Sequence, residues 1–414
     1  MRVLYLNPSG QLGGAETSLL NLLSGLRSHA PEFRPFVVAT EQGPFLSRCD
    51  QLGIPHQVLG LPARLERFGD SSVDAAKASR LVEMARLFRC TRDFNAYSKA
   101  MGTLLVREKP DVIHTNGFKM HVIGAWVNGS SRVKRRPALV GHIHDYVSTR
   151  PLAGKLLKAG SGRFSSFIAN SRSVAGDVRT FLGSKRVSTV YNAIDLASFH
   201  PEGSITDLDA HCGLEPAPPG TVRIGLVATF AKWKGHLTFL RALARLSEKT
   251  RVRAYVIGGP IYRTASSQFS RGELEAEVSR LGLAGRVGFT GFLDDVPSAM
   301  RALDIVVHAS TKPEPFGMTI IEAMACGRPV IVSNLGGAQE LFVDCVSGFG
   351  HVAGDERDLA RVIDQLGSNA ALRFDVAKQA REHVMVHFPV SQMAQQVWGV
   401  YREALTLRTN SLLN

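Results

Sequence analysis

The chain has 414 residues, with 49 lysines and arginines against 36 aspartates and glutamates, a formal net charge of +13. That length is too great for one hydrophobic core of ordinary size and points to two domains. The 44% hydrophobic content is that of a soluble globular enzyme, and no run is long and apolar enough to span a bilayer. The opening Met1-Arg2-Val3-Leu4-Tyr5-Leu6 reads as a strand and not as a signal peptide. Five scattered cysteines (Cys49, Cys90, Cys212, Cys326, Cys345) lack metal-like spacing, so a reduced, cytoplasmic setting is expected. The positive balance favours anionic partners. With no helix-turn-helix, zinc or aromatic RNA-binding signature, nucleic acid is set aside in favour of a phosphate-bearing acceptor or an anionic membrane surface.

In chain order, "RVLYLNPSGQLGGAETSLLNLLSGL" reads as strand, glycine-rich turn and amphipathic helix, with Gly13 and Gly14 allowing a ligand close to the backbone. Residues 61–108 form a longer, arginine-rich helical insertion (Arg64, Arg67, Arg80, Arg86, Arg89, Arg92, Arg107), and "RVKRR" from Arg132 adds a second basic knot. Such charge is ordinarily a solvated face, and lipid headgroups or an anionic glycan are the alternative. Strands begin at Pro35, Asp111, Ala138, Phe167 and Val187 and alternate with helices, which argues a parallel, doubly wound sheet. Active groups in such sheets gather at strand carboxyl ends. That rule selects Asn7, Asn116, Gly117, the pair His144-Asp145, Asn170-Ser171 and Asn192.

Phe199 to Thr221 is rich in proline, glycine and aspartate and reads as an interdomain connection. The expected division is 1–200, a linker at 201–221, and a second α/β domain at 222–389, with 390–414 packing back on the first. The tract Asp207-Leu208-Asp209 is read as turn residues in that linker and not as a metal site. The second domain opens with a strand into "ATFAKWKGH", then "RVRAYVIGGP", "RVGFTGF" and "IVVHAS".

The stretch that orders the rest is "EPFGMTIIEAMACGRPVIVSN", a loop, a helix with a glycine at its stop, and a β-branched buried strand. Glu314 lies in the loop and Glu322 eight positions on, inside the helix. A helix start behind a glycine loop offers unpaired N–H groups and a positive dipole end, a seat for phosphate. Carboxylates there would repel an anion unless they face hydroxyls, which suits a nucleotide carrying a sugar.

The string resembles the E-x7-E motif of retaining glycosyltransferases with the GT-B fold, and "EPFG…EAMACGRPVI" is similar to the family-four, group 1 members. The resemblance covers nearly the whole chain and is strongest from Gly225 to Glu340. It implies an α/β protein of two Rossmann-like domains facing across a cleft, with the nucleotide-sugar donor in the C-terminal domain. It implies transfer of a sugar to an acceptor hydroxyl with retention, as in cell-surface polysaccharide or glycolipid synthesis. In the implied roles, Lys234 and the helix near Thr319 stabilise the leaving diphosphate and Glu314 binds sugar hydroxyls. Backbone groups at Phe316, Gly317 and Met318 hold sugar and phosphate, and Glu322 accepts from the ribose diol. Gly13 and Gly14 match the "GGAE" of relatives, and His144-Asp145 their His-Asp pair, whose histidine reaches the donor sugar. No metal or other cofactor is implied, since lysine and helix dipole do the electrostatic work.

The sequence departs from the family in one place. Thr229 stands where relatives carry an arginine that grips the diphosphate, and loss of a guanidinium fork is not conservative. Lys232 could substitute only if its loop turns it inward. Thr229 also keeps open a second reading, a non-catalytic GT-B protein that binds a sugar-nucleotide or props up a partner. A phosphorylase would need a pyridoxal-phosphate lysine setting that "KWKGH" lacks.

Overall fold

A computed structural model describes residues 1–62, 80–129, 136–183, 186–247, 250–261 and 267–413, the side chains of 80–91 and 409–413 excepted. These residues fall into two compact units, Met1–Ala193 with Val390–Asn414, and Ile194–Pro389.

The first unit is built on seven parallel strands: β1 (Arg2–Asn7), β2 (Arg34–Ala39), β3 (His56–Val58), β4 (Val112–Asn116), β5 (Ala138–Ile143), β6 (Ser166–Ala169) and β7 (Val187–Thr189). Their order is β3-β2-β1-β4-β5-β6-β7. Helices cover both faces, so β4, β5 and β6 are buried at every position. The helix Gly14–His29 buries Leu19, Leu22, Leu23 and Leu26, the i, i+3, i+4, i+7 stripe that the sequence spells out. The helix Val390–Leu413 lays Met393, Val397, Trp398 and Tyr401 into the same core. Gly25 lets it come close, because a Cβ there would sit 2.6 Å from Val390 Cγ1.

The second unit carries β8 (Val222–Val227), β9 (Val252–Ile257), β10 (Val287–Gly291), β11 (Ile305–His308), β12 (Val330–Ser333) and β13 (Phe349–His351) in the order β10-β9-β8-β11-β12-β13. Both sheets therefore have a topological switch point beside their first strand, between β1 and β4 and between β8 and β11, where doubly wound sheets open a crevice for ligands.

Two elements were not legible in the sequence. Strands β3 and β13 each have three residues at a sheet edge, too short for any periodicity to register. The proline-rich stretch also differs from a free linker. The chain passes between units at Ala193–Ile194, and the proline-rich residues belong to the second unit. Asp207 caps the short helix Leu208–His211. Asp209, read as a turn residue, is buried and accepts from Arg253 Nη1 at 2.9 Å and Tyr255 Oη at 2.7 Å. An anchor made by one charged residue leaves no hydrophobic repeat to find.

Among the described residues no helix is long and apolar enough to cross a membrane. Cys49, Cys212, Cys326 and Cys345 are free thiols. Arg64, Arg67 and residues 132–135 of the expected basic faces lie outside the described residues, as do the side chains of Arg80, Arg86 and Arg89.

Candidate active site

At the switch point of the second sheet, β8 runs into the loop before the helix His236–Leu243, and β11 runs into the loop before the helix Met318–Ala325. The two loops are stapled together. Thr311 donates its N–H and its hydroxyl to the carbonyl of Trp233, at 2.7 and 3.2 Å. Gly235, at φ +79°, presses against the neighbouring strand end so closely that a Cβ would stand 1.8 Å from the carbonyl oxygen of Ala309. Only glycine meets both demands. Gly235→Ala is expected to cost about 3 kcal/mol of unfolding free energy, from left-handed strain plus a backbone clash. Gly272→Ala, where a Cβ meets nothing within 4 Å, serves as the control in the same urea titration. Equal midpoints for the two variants would contradict this account.

The stapling brings Lys234 Nζ within 2.7 Å of Glu314 Oε2. The same oxygen receives the Ser310 hydroxyl at 2.9 Å and lies 3.2 Å from His308 Nε2. The Glu314 main chain is fixed as well, its carbonyl accepting from Gly337 N–H at 2.7 Å. Burial alone would raise the Glu314 pKa, but Lys234 and His308 together outweigh it and hold the carboxyl well below the usual range. Glu314 is therefore a carboxylate at any physiological pH. The indole of Trp233 backs the ammonium of Lys234, 4.2 Å from its ring centroid.

Glu322 is the opposite case. It is half-buried, its carboxyl has no hydrogen bond or ion pair among the described residues, and burial pushes its pKa up to about 7. Gly317, at φ +110°, is the N-cap of its helix. Met318 and Thr319 are the first two helical residues, so their N–H groups precede any intrahelical acceptor. Phe316 is buried, with its ring edge-on to Phe388 at 6.1 Å, so its ring serves the core.

Lys232 does not turn toward Glu314. It is exposed, with its ammonium 5.6 Å from the ring of Phe269. Thr229 is half-buried near the start of the loop after β8.

The first unit gathers polar groups at its own switch point. Asn7, ending β1, accepts from Asn116 Nδ2, ending β4, at 2.7 Å. The Oδ1 atoms of Asn116 and Asn170 and both ring nitrogens of His144 are buried without partners among the described residues. Burial pushes the His144 pKa down to about 4, so the ring is neutral. Behind it stand His142, with ring centroids 4.1 Å apart, and then His114, a further 5.2 Å on. His114 Nδ1 meets Tyr401 Oη at 2.7 Å. Asp145 lies beside His144 in sequence but is engaged elsewhere, paired with Arg150 Nη2 at 3.0 Å and accepting from the Tyr146 N–H. Gly13 caps the helix Gly14–His29, and a Cβ there would sit 2.9 Å from Glu16 Oε2.

Of the residues named from the sequence, Lys234 and Glu314 touch, while Glu322, Gly317, Met318 and Thr319 share the helix that comes after Glu314. His308 and Ser310 were missed. They stand two apart, His308 closing β11 and Ser310 in the loop that follows, and that spacing just after a buried strand was the signal available.

Comparison with known proteins bears on the family and the fold. The family model "Glycosyl transferases group 1" matches residues 215–383, and "Glycosyltransferase Family 4" matches residues 12–198. A lipopolysaccharide core biosynthesis mannosyltransferase of Rhizobium leguminosarum bv. viciae is 30% identical over 218 residues, 53% of this chain and 60% of that protein. An N-acetyl-alpha-D-glucosaminyl L-malate synthase of Bacillus anthracis is 25% identical over 315 residues, 75% of this chain and 79% of its own. The match thus spans under two thirds of the first relative and more of the second. Among solved structures, HepE of Anabaena in complex with UDP and glucose superposes with a TM-score of 0.78 at 27% identity, covering 97% of this chain and 99% of that one. HepE has also been solved with UDP-glucose. Two sheets with paired switch points, the E-x7-E loop and helix, and matches to both halves lead to one assignment: the chain belongs to the GT-B glycosyltransferases of the group 1 type.

Proposed function

We propose that this protein moves a sugar from a nucleoside-diphosphate sugar to an acceptor hydroxyl, with retention of configuration, in the synthesis of a cell-surface glycan or glycolipid. The observation that carries the reading is the Lys234–Glu314 contact at the switch point, beside the opening N–H groups of the helix Met318–Ala325. Lys234 and those N–H groups supply positive potential where a departing diphosphate gathers charge. Glu314, ionised and held from three sides, is placed to accept from sugar hydroxyls. Glu322, with its unengaged carboxyl, suits the paired hydroxyls of a ribose. The HepE complexes support a uridine nucleotide as the first donor to try, and the Rhizobium relative supports a surface-polysaccharide role. In the first unit, neutral His144 with both nitrogens unengaged can donate to one sugar hydroxyl and accept from another. The Asp145 carboxylate would have to exchange Arg150 for a ligand.

Release of free sugar from UDP-glucose and from a panel of other nucleotide sugars tests the proposal. Lysine and helix dipole supply the charge stabilisation, so turnover is expected to persist in excess chelator. Glu322→Ala should raise the donor KM about tenfold, the worth of one lost charge-assisted hydrogen-bond pair, with kcat little changed. Because a carboxylate accepts from a diol better than a carboxyl does, the donor KM should also rise as pH falls through about 7. A donor KM indifferent to both Glu322 and pH would remove Glu322 from the donor site.

Thr229 and the outward Lys232 favour a second reading, since one lysine remains where relatives have two cations. In that reading the protein binds a sugar-nucleotide without turning it over. Thermal stabilisation by a donor, with no turnover on any donor and acceptor tried, would select it.

A further inference from the structure

We infer that the amino-terminal edge of the first sheet carries a second ligand site, for a phosphate-bearing anion with an apolar body. A cavity of about 760 Å³ opens there, within the size range of small-molecule sites, and four arginines line it: Arg2, Arg27, Arg34 and Arg107. Arg27 and Arg107 stand in the last turns of two helices, where a cation offsets the dipole, so their charge has a structural explanation. Arg2 and Arg34 offset no helix dipole. They open β1 and β2 and are direct register partners, so both side chains project on the same face of adjacent parallel strands. Like charges placed opposite each other destabilise a sheet.

Three of the four guanidiniums have no carboxylate at ion-pair distance. Among the described residues Arg2, Arg27 and Arg34 form no ion pair, and the cavity's one acidic residue, Glu108, is taken by Arg107 at 2.6 Å. The nearby Asp111 accepts from the main-chain N–H of Arg2 at 2.9 Å and is in ion-pair contact with none of the four guanidiniums. Arg27 and Arg34 are steadied by backbone carbonyls, Leu52 for the first and Pro31 and Phe33 for the second, which orient the guanidinium without neutralising it. Phe33 and Phe36 line the cavity beside them, the latter under the Arg107 guanidinium at 5.8 Å. Guanidinium forks match phosphate oxygens two at a time, and the aromatic edges accommodate a non-polar remainder.

Strand direction separates this cavity from the polar groups at the switch point of the same sheet. Asn7 and Asn116 end their strands at the carboxyl edge, roughly 17 Å along β1 from Arg2 at 3.3 Å per residue. A ligand held by the arginines therefore leaves the carboxyl edge open, and its role is anchoring or regulation.

The test uses the full chain with Lys234→Ala and Glu314→Gln, which removes the cation of the other anion seat. Isothermal titration with inorganic pyrophosphate, and sedimentation with phosphatidylcholine vesicles with and without phosphatidic acid, are run before and after adding Arg2→Gln and Arg34→Gln. Binding to either probe that the arginine replacements weaken at least tenfold upholds the site. Response to pyrophosphate identifies a free phosphorylated ligand, and response to the vesicles alone identifies a lipid headgroup. Binding to neither probe, or binding indifferent to the arginines, overturns it. Should the Arg2 and Arg34 replacements disturb folding by circular dichroism, Arg27→Gln with Arg107→Gln gives the same reading from the other two guanidiniums of the lining.

Discussion

Lys234→Ala is expected to inflict two separable losses, one of turnover and one of stability. Removing a preorganised cation from a developing diphosphate typically lowers kcat about 10²- to 10³-fold. The same change strands Glu314, a carboxylate 7% exposed and held ionised by Lys234 and His308. Breaking one side of such a buried pair costs about 3 kcal/mol. Glu314→Gln on its own removes the buried charge and keeps the side chain's shape and its hydrogen bond with Ser310. Lys234 is then left unpaired but 21% exposed, so its charge can be solvated. Thus the double variant Lys234→Ala/Glu314→Gln should regain most of the stability that Lys234→Ala loses and remain as inactive. A urea midpoint for the double variant no better than that of Lys234→Ala would refute the ion-pair account. Turnover of Lys234→Ala at the parental rate would remove Lys234 from the site.

On acidification from pH 6.5, the first unit is expected to lose stability steeply. His114, His121, His142 and His144 all lie in it, and burial lowers every one of their pKa values, to about 3 for His121 and about 4 for His144. With the folded pKa below the unfolded value near 6.5, the unfolded chain binds more protons throughout the interval between them, so stability falls as pH falls. A ring shifted to about 4 withdraws about 2 kcal/mol by pH 5. Four such rings approach the whole stability of an ordinary domain.

Raised carboxyls oppose this. Glu322, at about 7, favours the folded state at acid pH and gives up that contribution as pH rises from 4.5 through 7, but it belongs to the second unit. Within the first unit, burial also raises Glu16, one group against four. Trp398, buried in the first core, makes this unit's transition measurable by fluorescence in a variant that keeps it as the single tryptophan. His142→Phe, which removes the middle ring of the stack, should move the first unit's transition to lower pH. A transition reported by Trp398 that begins only below pH 4, or one that His142→Phe leaves in place, would sink the prediction.

The sequence alone determined the elements and their chemistry wherever these depend on near neighbours. The leucine stripe of Gly14–His29, the buried runs of β8 and β11, and the loop and helix carrying Glu314 and Glu322 all arise from spacings within a few turns of chain. Local rules fail when an element is too short to show a period, as at β3 and β13, or when one charge anchors it, as at Asp209. Everything that defines the candidate site as a site is long-range. Lys234 meets Glu314 across 80 positions, Asn7 meets Asn116 across 109, and Tyr401 meets His114 across 287. These pairs exist because strand order and register bring distant loops to one sheet edge, and neither order nor register is written in any one stretch of residues. The same applies to Arg2 beside Arg34: two unremarked surface charges in the chain become a cationic pair once β1 and β2 lie parallel and in step.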